Sequence, residues 1–243
     1  LLTGTRVTYR PVAGQRLAPP AMGAAARVLA DATTGEVLAA KAPHARYRPA
    51  STLKTLTALT LMPRLDPAAT YTALSTDAAA EGSRVGLVPG STYSLHDLWY
   101  ALLLPSANDA ASALANAAGG FTATVDAMNA EAHRLRALDT VAKSPSGLDH
   151  DGQWTSAYDL ALLARAAISM PQFVRVSHAT RFPFPAAGQV DQASRATYPI
   201  YGQNRLLNHG YPGVIAGKTG FTTEGKRTFW IAARHGELSL IHI

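Results

Sequence analysis

The stretch A-R-V-L-A-D-A-T-T-G-E-V-L-A-A-K, residues 26–41, reads as two short apolar strands around Thr34-Gly35. Such a pair, with glycine at the join, is a β-hairpin signal, because a tight turn needs a residue that tolerates positive φ. Just beyond it, Pro49 precedes S-T-L-K-T-L-T-A-L-T-L-M, where Leu53, Leu56 and Leu59 to Met62 recur at helical spacing. The far end of the chain returns to strand character at Gly213–Ala216, Thr228–Arg234 and Leu238–Ile243. Between the two ends lie helical patterns at Leu95–Leu104, Asp109–Ala118, Thr122–Leu138 and Thr155–Met170. An order of strands, helices and strands again fits one antiparallel sheet in which both ends of the chain meet, an α+β architecture.

The connecting stretches are less regular. Residues 63–94, rich in Pro, Gly, Ser and Thr, read as loops with short extended pieces, and residues 171–203, with four prolines and no period, as a variable surface excursion. The resulting division is a single catalytic domain, 1–243: a lead-in 1–26, a sheet part from 27–62 and 205–243, and a mainly helical part 63–204. Ile243 falls inside the last strand, so the native chain is expected to continue. The start lacks Met and a signal-like leader, as a processed or trimmed chain would.

Composition narrows the function. A hydrophobic fraction of 47% with 16% charged residues supports a sizeable core, and no apolar run is long enough to span a bilayer. The net charge of +6 suits anionic partners, yet the basic residues are scattered singly without interleaved aromatics, which argues against nucleic acid. The absence of cysteine excludes disulfides and thiolate metal sites. The eight histidines show no ligand spacing, so no metal and no cofactor is expected.

Three short motifs carry chemistry. In Ser51-Thr52-Leu53-Lys54, the serine and lysine stand three apart at a helix head and share one face. Serine is a poor nucleophile without a base, and lysine serves as one only when burial or a neighbouring cation keeps it neutral. The second motif, Ser106-Ala107-Asn108, sits at a helix-to-helix turn, where a hydroxyl and an amide can point into a cleft. The third, Lys218-Thr219-Gly220, follows Gly217 on a strand, where the glycines permit a close approach. Its G-K-T invites a nucleotide-loop reading, but Gly213 and Gly217 enclose three residues where four are required, and no helix follows. Each motif alone is commonplace; the set is not.

S-x-x-K, S-x-N and K-T-G in this order resemble the penicillin-binding proteins and serine β-lactamases. The wider stretches 49–54, 106–111, 145–149, 155–161 and 217–222 are similar to the low-molecular-mass D-alanyl-D-alanine carboxypeptidases, peptidase family S11, across roughly residues 27–235. The resemblance implies a penicillin-binding transpeptidase-like fold: a five-stranded antiparallel sheet flanked by helices, plus an all-helical subdomain carrying S-x-N, with the site in the cleft between. It implies that Ser51 attacks the D-Ala-D-Ala bond with Lys54 as base, that Ser106 and Asn108 complete proton transfer and substrate holding, that Lys218 lends positive potential, and that Thr219 helps receive the terminal carboxylate. Gly220 and Phe221 would complete the substrate-binding strand, with the backbone N–H groups of Ser51 and Phe221 as oxyanion hole.

The implied partners are the peptidoglycan stem peptide and β-lactams, at the cell envelope outside the cytoplasm, with membrane attachment through a segment outside this chain allowed. Two departures stand out. Ser239 replaces the arginine that precedes L-I in many relatives, leaving Arg234 as a substitute, and Thr222-Thr223-Glu224-Gly225-Lys226 replaces T-x-x-A-G. A class A β-lactamase would need S-D-N and E-x-x-L-N, where this chain has Ala107 and no such loop. A non-turnover penicillin sensor is the other alternative. G-x-S-x-G and H-E-x-x-H are both absent.

Overall fold

The computed structural model describes residues 8–9, 22–191, 194–236 and 238–243. In chain order they form β1 (Thr8–Tyr9), β2 (Arg27–Asp31), β3 (Val37–Lys41), a 3-10 turn (Ala50–Leu53) and α1 (Lys54–Leu61). Then come β4 (Thr70–Thr72), α2 (Ser75–Ala78), β5 (Thr92–Ser94), α3 (Leu95–Leu103), α4 (Asn108–Ala117) and α5 (Phe121–Arg134). The chain closes with α6 (Ala157–Ile168), α7 (Pro171–Ser177), β6 (Arg181–Pro185), β7 (Thr197–Tyr201), α8 (Arg205–Asn208), β8 (Val214–Thr222), β9 (Lys226–His235) and β10 (Leu238–His242).

The main sheet runs β1-β3-β2-β10-β9-β8, and all its pairings are antiparallel. Five strands are the expected ones, and β1 adds a short sixth at the edge, out of a lead-in read as irregular; the rest of residues 1–21 lies outside the described residues. The opening hairpin forms as read. Asp31 Oδ1 accepts the N–H groups of Thr33 (2.7 Å) and Thr34 (3.0 Å), and Gly35 supplies φ +78°. Strand β10, last in the chain, lies between β2 and β9, which is how the two chain ends meet.

Helix α1 is the centre of the molecule. Every residue from Lys54 to Leu61 is buried, so the leucine spacing marked a helix but not a single apolar face. Its threonines stay compatible with burial because each has a partner. Thr55 Oγ1 accepts from Trp230 Nε1 (2.8 Å), Thr57 donates to the Pro145 carbonyl (2.7 Å) and Thr60 to that of Leu56 (2.8 Å). Helices α4, α5 and α6 pack around α1, while α6 also covers β2, β9 and β10. In α6 the expected inward residues Leu160, Leu163, Ala164 and Ala167 are all buried, and Ser156 caps its start by accepting from the Asp159 N–H (3.1 Å).

Residues 171–203 depart from the expectation of an irregular excursion. Pro171 opens α7 at a position where its missing N–H costs nothing, and β6 and β7 form a paired ribbon. Pro183 stands opposite Pro199, so that pair cannot exchange N–H bonds and must be a non-hydrogen-bonded one; Pro185, two residues on, falls in the same class. Phe184, between Pro183 and Pro185, and Ile200, next to Pro199, point inward and are buried. The prolines masked a period-two pattern rather than breaking it.

Candidate active site

Ser51 is the second residue of the 3-10 turn, and Lys54 the first of α1. The chain enters this turn through Ala50, fully buried at φ +49°, a strained value for a residue with a Cβ. Gly147 (φ +83°) packs directly against it, where any Cβ would collide with the Ala50 carbonyl. The glycine of Pro145-Ser146-Gly147-Leu148-Asp149 thus lets that loop close onto the turn.

Lys54, at 0% exposure, donates to three oxygens: Ser51 Oγ (3.0 Å), Asn108 Oδ1 (2.6 Å) and the Ser146 carbonyl (2.7 Å). Two of these can only accept. When the amine is neutral its two N–H groups remain with Asn108 and Ser146, and its lone pair is left facing the Ser51 hydroxyl. Burial holds the Lys54 pKa well below the usual lysine value, the charge of Lys218 adds to that, and Asp109 works against it. A base beside a serine hydroxyl is therefore in place.

Lys218, 2% exposed on β8, donates to Ser106 Oγ (2.9 Å) and to the Thr219 carbonyl (2.8 Å), and burial lowers its pKa to about 7. The S-x-N motif is thereby shared between the lysines, Asn108 bonding Lys54 and Ser106 bonding Lys218. Ser106 sits at φ +63° between α3 and α4, a second strained residue at the site. Asn108 Nδ2 donates to the Glu81 carbonyl (2.6 Å), and Asp109 accepts the backbone N–H groups of Val85, Gly86 and Leu87 at 2.8–3.0 Å. The 81–87 loop is thus fastened to the head of α4.

Strand β8 is the free edge of the main sheet, and it lies against the 3-10 turn. Gly220 makes this approach possible: a Cβ there would sit 2.8 Å from the Ser51 nitrogen and overlap Thr228 Oγ1. Thr228 in turn donates to the Pro49 carbonyl (2.8 Å), tying β9 to the same turn. Thr219 Oγ1 reaches Gln203 Oε1 (3.4 Å), and Gln203 Nε2 donates to the Pro105 carbonyl (3.0 Å), so Gln203 spans from β8 to the S-x-N turn. Phe221 is 64% exposed at the mouth. The G-K-T belongs to this strand, which runs to Thr222 before turning, and among the described residues no helix follows it.

The structure brings Ser51, Lys54, Ser106, Asn108, Lys218, Thr219, Gly220 and Phe221 to one cleft. It does not bring Arg234 there. That residue hydrogen-bonds Ser239 Oγ (3.1 Å) and stands beside Gly213, four residues along β9 from Trp230, the partner of Lys218. At about 3.3 Å per residue this is about 13 Å away. Sequence reasoning missed the Ser146 carbonyl and Gln203. The first has no letter of its own, and the second was one polar residue in a stretch without a period. Asp149 holds the far end of the cleft by accepting from Thr222 Oγ1 (2.7 Å) and the Glu224 N–H (3.1 Å).

An edge strand, a helix head and a helical turn converging on one Ser–Lys pair is the layout of the penicillin-binding serine peptidases, and the fold finds its counterparts in that class. A crystal structure of a D-alanyl-D-alanine carboxypeptidase from Mycobacterium tuberculosis superposes with a TM-score of 0.87 at 38% identity, covering 95% of this chain and 84% of that one. A mutant Streptomyces DD-transpeptidase superposes at 0.86 with 26% identity, over 92% and 90% of the two chains. The model of the family described as D-alanyl-D-alanine carboxypeptidase, peptidase S11, matches residues 13–243, and the chain belongs to this family. In sequence, the M. tuberculosis D-alanyl-D-alanine carboxypeptidase DacB2 is 39% identical over 88% of this chain and 72% of its own length. The Bacillus subtilis enzyme DacF is 30% identical over 100% of this chain and 62% of its own. The chain is thus shorter than either relative.

Proposed function

We infer that the chain is a serine D-alanyl-D-alanine carboxypeptidase, which removes the terminal D-alanine of peptidoglycan stem pentapeptides through an acyl-enzyme. The observation that carries this reading is the hydrogen-bond set of Lys54, whose neutral form has one lone pair and one hydroxyl to receive it. Ser51 Oγ gives its proton to Lys54 and attacks the scissile carbonyl. The backbone N–H groups of Ser51 and Phe221, brought together by Gly220, receive the developing oxyanion. The proton passes through the Ser106 side of the network to the leaving amine, D-alanine departs, and water releases the acyl group from Ser51. Lys218 and Thr219 hold the terminal carboxylate of the substrate, and β-lactams, which mimic the dipeptide, acylate Ser51.

No carboxylate hydrogen-bonds Ser51 or Lys54 among the described residues, which favours this reading over a class A β-lactamase. A stem-peptide substrate places the protein outside the cytoplasmic membrane, in the cell envelope. No described helix is long and apolar enough to cross a membrane. The test is mass spectrometry after exposure to penicillin, together with D-alanine release from a pentapeptide. The adduct is expected on the peptide containing Ser51, and Ser51→Ala should lose both adduct and release while keeping the wild-type Tm. Labelling that survives in Ser51→Ala would sink the assignment, and a stable adduct without D-alanine release would make the chain a sensor.

A further inference from the structure

Beside the reacting strand opens a groove of about 390 Å³, walled by Thr219, Phe221 and Arg227 from the sheet, by Gln203 just before α8, and by Arg205 and Leu206 at its start. Its lining includes two arginines and no acidic residue. Arg227 stands directly opposite Phe221 on β9, so the two share a face, and its guanidinium carbon lies over the Phe221 ring at 5.9 Å. Thr219 is the diagonal neighbour of Arg227 on that face, about 7–8 Å away, within reach of a long side chain. Neither Arg205 nor Arg227 has an ion pair among the described residues, whereas Arg46, Arg48 and Arg134 each face a carboxylate. Two uncompensated cations on one groove repel each other, and an anion between them turns that repulsion into attraction.

The cleavage reaction leaves these charges unused. The departing group is a single alanine with one carboxylate, and Lys218 and Thr219 on the strand edge already serve it. Any further acid on the substrate must belong to the donor portion that stays on Ser51. We propose that this groove holds a side-chain carboxylate on the donor portion of the stem peptide, so that the chain prefers peptides with that acid free over those with it amidated. This rests on the carboxypeptidase reading above.

The test uses two peptides ending in D-alanyl-D-alanine that differ at one donor residue, a free carboxylate in one and the carboxamide in the other. D-Alanine release gives kcat/KM for each, at low and high salt, for the wild type, Arg205→Gln, Arg227→Gln and the double variant. The wild type should favour the acid about fivefold, the size expected of exposed charge pairs, and salt should shrink the preference. In the double variant the ratio should fall toward one. A ratio within one protein is insensitive to partial misfolding, which lowers both rates alike. Equal rates for the two peptides in the wild type overturn the inference, as does a preference that survives both substitutions. Release from neither peptide, with Ser51 unlabelled by penicillin, removes the carboxypeptidase reading and this inference with it.

Discussion

At the scale of single residues, the site is a matter of what touches Ser51 from each side. The candidate nucleophile and base were legible through their company: a spacing of three puts Ser51 and Lys54 on one face, and S-x-N with K-T-G turns a commonplace pair into a set. The Ser146 carbonyl was not, since any residue type offers one. Its position depends on Gly147, whose φ of +83° and closeness to Ala50 appear only in three dimensions. Gly220 makes the sharpest residue-scale prediction. In Gly220→Ala the new Cβ presses on the Ser51 nitrogen, at 2.8 Å, and on Thr228 Oγ1, so β8 must retreat from the turn. The acylation rate with a fluorescent penicillin should fall by about 10²-fold or more, as when an oxyanion donor is removed. An unchanged rate would show that β8 does not need this approach.

At the scale of elements, local patterns were read well where one face is buried and poorly where none is distinguished. Helix α6 showed its inward residues, whereas α1, buried all round, showed only a spacing. The β6–β7 ribbon was hidden by its prolines, which sit at positions where the missing N–H is harmless. Asp159, in the first turn of α6, is the testable element-level feature. Its Oδ2 accepts the Asp139 N–H and the Thr140 hydroxyl, both at 2.7 Å, anchoring the start of α6 to the 139–140 segment. Burial raises its pKa from 3.8 to about 6; the Thr140 bond, the Asp139 N–H and the His44 charge oppose, and the Asp139 charge assists. Between those values the folded protein keeps a proton that the unfolded chain has lost. This contribution to stability is therefore full below pH 4 and fades as pH rises to 6. Asp159→Asn keeps an oxygen able to accept both bonds and cannot titrate. Urea midpoints measured across that window should lose a downward slope relative to wild type, and an unaltered slope would count against the assignment.

At the scale of the whole molecule, the order of elements announced a sheet closed by the two ends of the chain, but not which strand would occupy its middle. That is decided by long-range pairing, to which local patterns are blind. With β10 seated between β2 and β9, removing residues 238–243 takes out an interior strand rather than trimming an edge. The shortened chain should show no cooperative melting transition in circular dichroism; a native-like melt would mean that β2 and β9 can close the gap. The same arrangement sets a schedule for synthesis. The Ser–Lys pair emerges early, within residues 51–54, while the strand that unites the two halves of the sheet is the last described element to be made. Until then β2 and β9 carry open edges that invite pairing with other chains. Contacts this distant in sequence also form slowly. From residue 54 onward the growing chain therefore carries its Ser–Lys pair while the two halves of the sheet, β3-β2 and β9-β8, wait for β10 to join them.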